Sequence, residues 1–276
     1  MSAEIVLMWG AVSIYAVSAV MFVAGAVFRR AVVTTAGFWV AMVGLVPHAI
    51  AIGIRWVRVG HGPYLGFYEA VSSFAFVSVV VLGLLVWRYR SLVHAGVVLM
   101  PLSFLMLGGA MLTSKTDLAV TGALASWWLT IHVAFAKIAY GAFVASFVLG
   151  IMYLARERAR GLLAEVLERM PKQDVVDDLG FRFAAVGFVF WGIMIVSGAI
   201  WANEAWGRYW AWDPIEVWSL IAWCVYALYL HTRLTLGWRG RRSAQFAIVA
   251  LPVMVFSLVG VPLVYDSIHA AYLLGY

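Results

Sequence analysis

The stretch WANEAWGRYWAWDPIEVW, residues 201 to 218, lies between two long apolar runs, and its contrast with them decides the fold. Five of its residues are tryptophan (Trp201, Trp206, Trp210, Trp212 and Trp218), and Tyr209 adds a sixth amphipathic ring. It also carries Glu204, Arg208, Asp213 and Glu216. Residues 181–201 before it and 214–238 after it each supply about the 20 apolar positions that a bilayer-crossing helix needs. A segment that is polar and aromatic at once, set between two such runs, reads as a connection at a membrane face.

Working outward, the same hydropathy pattern repeats along the chain. Six further runs, at 5–27, 31–54, 67–87, 92–113, 127–154 and 243–266, are long and apolar enough to span. The 276 residues are 65% hydrophobic and only 12% charged, about half the charge of a soluble domain. The composition predicts an all-α polytopic membrane bundle of about eight transmembrane helices, organised as a single membrane domain over 1–276. A net charge of +6 reports loop arginines here, not a nucleic-acid partner. The single cysteine, Cys224, lies in an apolar run and excludes an intrachain disulfide or CxxC chemistry. MSAEIVLMWG at the start lacks a basic n-region and reads as the beginning of a retained span.

Orientation follows from lysine and arginine. The connections after the first, third, fifth and seventh runs hold fourteen of these residues, and the others hold four: Arg55, Arg58, Lys115 and Arg208. The positive-inside rule then places both termini and the 201–218 loop on the outer side. The polar segment at 155–180 becomes a cytoplasmic amphipathic connection, with Leu162, Leu163, Val166 and Leu167 on one face.

Several residues invite two readings. His48 lies within a span and is either a functional group or a neutral histidine bonded to a neighbouring helix. His94 falls at a boundary, where an interfacial role suffices. Glu69 opens a span, where the helix dipole favours a carboxylate. Asp213, Pro214 and Glu216 fit a capping box with proline at the first helical position. That explains the acidic pair better than acid–base catalysis does. His231 lies about seventeen residues into its span, roughly 26 Å from the outer end at 1.5 Å per residue. His48 and His231 therefore sit at different depths. His132 and His269 both fall at the outer face with the tryptophan-rich loop. Two imidazoles between aromatic walls suit a planar macrocycle with an iron that takes axial histidines. Indole N–H groups, Arg208, Arg55 or Arg58 are available for its carboxylates. An interfacial aromatic belt with two incidental histidines is the competing reading.

The spacing W-G-x-x-W-x-W-D-x-x-E-x-W, from Trp206 to Trp218, resembles the tryptophan-rich "WWD" motif of haem-handling membrane proteins at every fixed position. GHGP at 60–63, YE at 68–69, SWWLTIHV at 126–133 and YLHTR at 229–233 extend the resemblance. It is most similar to the CcsA/ResC family of system II cytochrome c biogenesis. The resemblance implies a subunit of a cytochrome c synthase that presents haem b at the outer face for thioether attachment to the CxxCH motif of apocytochrome c. The alternative is a haem transporter or chaperone without lyase activity. It implies His132 and His269 as axial ligands of the haem iron. Trp206, Trp210, Trp212, Asp213, Trp218 and Arg208 would form the haem-binding loop, and His231 would serve haem transit. It further implies a CcsB/ResB-like partner subunit and a place in the bacterial cytoplasmic membrane.

Overall fold

Eight helices in the computed structural model are long and apolar enough to cross a membrane. The structure describes residues 2–117, 120, 122–159 and 171–267. Among the described residues the secondary structure is helical throughout, without a strand. The chain is a multi-pass, all-α membrane protein. Its described residues divide between two compact units, one built mainly from 1–117 and the other from 118–155 and 173–276.

The first unit contains α1 (Ala3–Val27), α2 (Ala31–Val59), α3 (Gly66–Arg88), a 3-10 turn (Arg90–Ala95) and α4 (Gly96–Met111). α1 and α2 pack closely because small residues let their backbones approach. At Gly44 a Cβ would lie 2.6 Å from the ring of Tyr15. The Ser18 hydroxyl donates to the Gly37 carbonyl at 2.8 Å across the same seam. His48 is fully buried here. Its Nδ1 lies 3.2 Å from the Tyr15 hydroxyl and its Nε2 3.3 Å from that of Ser72. The interhelical reading of His48 is therefore the one the geometry supports. In an apolar span this pairing answers the desolvation of the imidazole.

At one end of this unit lies a charge cluster centred on Arg55, which is 5% exposed. Its Nε donates to Glu69 Oε1 at 2.6 Å, and its Nη1 reaches Glu4 Oε1 at 3.4 Å and Asp117 Oδ1 at 3.3 Å. Nη2 donates to the Thr116 carbonyl at 3.0 Å. Arg58 pairs with Glu4 Oε2 at 2.6 Å. Glu69 also accepts the Leu65 N–H that precedes α3, so it is both the expected helix-start carboxylate and half of an ion pair. The anions that meet Arg55 and Arg58 thus belong to the chain itself.

The second unit contains α5 (Trp127–Arg158), α6 (Gln173–Trp206), α7 (Pro214–Leu234), α8 (Arg241–Val255), a π-helical turn (Phe256–Gly260) and a last turn, α9 (Val261–Val264). Its core is aromatic. Phe143 stacks on Tyr226 with centroids 3.5 Å apart, and buried Trp191 donates from Nε1 to the Ser219 carbonyl at 3.0 Å. Buried Arg233 of α7 pairs with Asp177 of α6. The π turn ends two residues before Pro262, whose ring nitrogen cannot donate to Leu258. The helical ladder slips there, and Val261 N–H bonds the Phe256 carbonyl.

Span boundaries agree within a few residues except for the sixth. It begins at Gln173 instead of 181, so the later part of the 155–180 connection is the first two turns of α6. The face of Leu162, Leu163, Val166 and Leu167 lies outside the described residues. The 201–218 stretch divides: Trp201–Trp206 closes α6, Pro214–Trp218 opens α7, and residues 207–213 are non-helical.

Candidate functional site

The non-helical residues 207–213 are held by the start of α7. Asp213 caps the helix, its Oδ1 accepting the Ile215 N–H at 3.1 Å. Glu216 reaches back, its Oε2 accepting N–H from Asp213 at 3.2 Å and from Ala211 at 2.8 Å. Pro214 takes the first helical position, where its missing N–H removes nothing. This is the capping box expected from the spacing. Both carboxylates are committed to backbone donors.

Trp212, inside this cap, adopts φ 59°, in the left-handed region, and is 71% exposed. A bulky non-glycine residue there is strained. Its ring lies at 87° to that of Trp210, with centroids 5.9 Å apart.

Beside the cap is an open cleft with a cavity volume of about 90 Å³. α5 contributes His132, α6 Met194, Gly198 and Trp201, the connection Tyr209 and Trp210, and α7 Glu216 and Ser219. Leu258 of the π turn also lines it. His132 is half-buried, with Nδ1 2.8 Å from the Met194 carbonyl oxygen. A carbonyl only accepts, so Nδ1 carries a proton, and in a neutral ring Nε2 would be the basic nitrogen. A metal-ligating histidine needs this arrangement. Trp210 Nε1 is buried without a hydrogen-bond acceptor among the described residues. It offers a donor at the cleft wall for an acceptor group on a ligand.

The residues expected from sequence are distributed unevenly. His132 and Trp210 line the cleft together. Trp206 packs edge-on against Trp201, with centroids 4.9 Å apart, and backs the wall. Trp218 packs against Phe256, with centroids 4.6 Å apart. Arg208 is exposed on the connection. His231 lies on an exposed face of α7, its Nδ1 3.3 Å from the Thr235 hydroxyl, near the helix end opposite the cap. His269 lies outside the described residues. Trp201, Tyr209, Met194 and Gly198 enter the site without having been singled out for it. Trp201 and Tyr209 were legible as part of the aromatic stretch, whereas Met194 and Gly198 carry no local signal.

The family model described as "Cytochrome C assembly protein" matches residues 7–269. A "Cytochrome c biogenesis protein CcsA" of Chlamydomonas reinhardtii is 35% identical over 228 residues, covering 79% of this chain and 63% of the relative. One of Parasynechococcus marenigrum is 34% identical over 243 residues, covering 79% of this chain and 80% of the relative. The chain therefore spans somewhat less than two thirds of the algal relative's length. Among solved structures, "Cytochrome c Heme Lyase CcmF" superposes with TM-score 0.67 at 14% identity over 93% of this chain and 46% of that one, a likeness of fold. The chain belongs to the cytochrome C assembly protein family, among the CcsA-type proteins of cytochrome c biogenesis.

Proposed function

We propose that this chain is the haem-handling subunit of a membrane cytochrome c synthase. Haem b would be its substrate and transient ligand, held in the cleft beside residues 207–213. The observation that carries the reading is His132: its Nδ1 is bonded to the Met194 carbonyl, so Nε2 is the nitrogen that would ligate, in a cleft walled by Trp201, Tyr209 and Trp210. Trp210 Nε1 supplies a donor suited to a propionate. Arg208, Trp206, Trp212, Asp213 and Trp218 shape the surrounding loop, and His269 supplies the second axial imidazole.

The reaction joins two apocytochrome cysteines to haem. Each S–H adds across a vinyl C=C, sulfur to one carbon and hydrogen to the other. The chain's contribution is to hold the macrocycle in one orientation, and positioning alone is worth several powers of ten. Asp213 and Glu216, bonded to backbone N–H groups, act as scaffold. His231, on the outward face of α7, serves haem transit with a CcsB/ResB-like partner. The cleft faces outward from a bacterial cytoplasmic membrane, with both chain termini on that side.

A His132→Ala, His269→Ala variant purified with its partner tests the reading. Loss of haem absorbance and of holocytochrome is expected, and unchanged haem content refutes it. The commitment of Asp213 and Glu216 to the cap also favours a second reading, a haem chaperone without lyase activity. That reading gives the same spectrum but no thioether product when reduced apocytochrome is added.

A further inference from the structure

α5 and α6 approach closely where His132 meets Gly198. A Cβ at 198 would lie 2.6 Å from His132 Nδ1 and 2.8 Å from its Cε1, inside van der Waals contact. One turn earlier in α6 is the Met194 carbonyl that accepts from Nδ1 at 2.8 Å. Ser197, between them, turns its hydroxyl back along the helix to the carbonyls of Ile193 at 2.8 Å and Met194 at 3.1 Å. The imidazole therefore lies in a notch whose floor is glycine and whose rim is a polarised carbonyl. A helix interior does not favour glycine, which costs roughly 1 kcal/mol against alanine. Here its missing side chain is the space the ring occupies.

We propose that Gly198 and the Met194 carbonyl are positioning residues for His132. The notch seats the ring, fixes its proton on Nδ1 and fixes the direction in which Nε2 is presented to the iron of a macrocycle in the cleft. The inference rests on the haem reading of the cleft. It adds that the ligand's orientation is built into α6, not into the tryptophan-rich loop. Partners that orient a ligating histidine typically change metal affinity by roughly 10- to 100-fold when removed.

The test compares the full chain, purified with its partner, as wild type, His132→Ala and Gly198→Ala. Gly198→Ala should lower retained haem by roughly 10-fold or more. It should also shift the residual absorbance and electron paramagnetic resonance spectrum towards that of His132→Ala. Wild-type haem content and spectrum in Gly198→Ala, with loss in His132→Ala, overturns the notch and leaves the haem reading standing. An unchanged spectrum in His132→Ala overturns both. A measurement independent of the variants is the 15N spectrum of histidine-labelled protein without haem. A protonated Nδ1 at His132 is expected, and the opposite tautomer overturns the inference.

Discussion

Glu216 Oε2 lies 2.8 Å from the backbone nitrogen of Ala211, five residues back and outside the helix whose first turn holds Glu216. The contact ties the tryptophan-bearing connection to the first turn of α7, so the motif's acidic residues set its angle. Glu216→Ala should cost about 1 kcal/mol, the usual scale of a lost cap. Glu216→Gln keeps an acceptor oxygen at the same place and should lose less. Thermal unfolding in detergent measures both, and a base in the chemistry would instead show equal loss of product formation in the two variants.

Trp212 provides a separate test of strain. Its left-handed backbone costs on the order of 1–2 kcal/mol, and its side chain is largely exposed. Trp212→Gly removes that strain, while glycine's added freedom in the unfolded chain offsets roughly 0.5–1 kcal/mol. The unfolding temperature should stay level or rise slightly, while haem retention falls. Measuring both on one preparation separates the ring's role from its fold.

The Arg55 cluster predicts a large effect on stability. Arg55→Met leaves the buried carboxylates Glu4 and Glu69 with less compensation. Breaking such a pair costs about 3–5 kcal/mol. Arg58 is 43% exposed at its side chain, and Arg58→Met should cost about 1 kcal/mol or less. Yield in the membrane fraction and detergent unfolding should rank the two in that order.

His48 and His231 should dissociate stability from haem handling. His48→Leu orphans the Tyr15 and Ser72 hydroxyls, a loss of roughly 1–3 kcal/mol. It should leave the haem spectrum of the surviving protein unchanged. His231 is exposed on α7, and His231→Ala should change stability by no more than about 0.5 kcal/mol. Haem content of the complex with its partner should drop. The reverse pattern would exchange their roles.

Local signals carried much of this fold. Span existence and the capping box at Asp213 each depend on residues within one or two turns, and each was readable in order along the chain. The start of α6 was less so, because polar residues 173–180 continue a helix whose apolar part begins later.

What the sequence by itself determined is a multi-pass helical protein whose tryptophan-rich connection is set by its own acidic cap. Hydropathy and capping act through near neighbours, so a single pass along the chain exposes them. Only the tertiary structure decided the partners of the buried polar groups. Arg55 meets Glu4, 51 positions away, and His132 meets the Met194 carbonyl, 62 positions away. Neither pairing leaves a periodic trace, because a buried polar group needs only one well-placed partner and any helix that packs nearby can supply it. Gly198 is the sharpest case: along the chain it is one small residue in an apolar span, and in the fold it is the space that holds an imidazole.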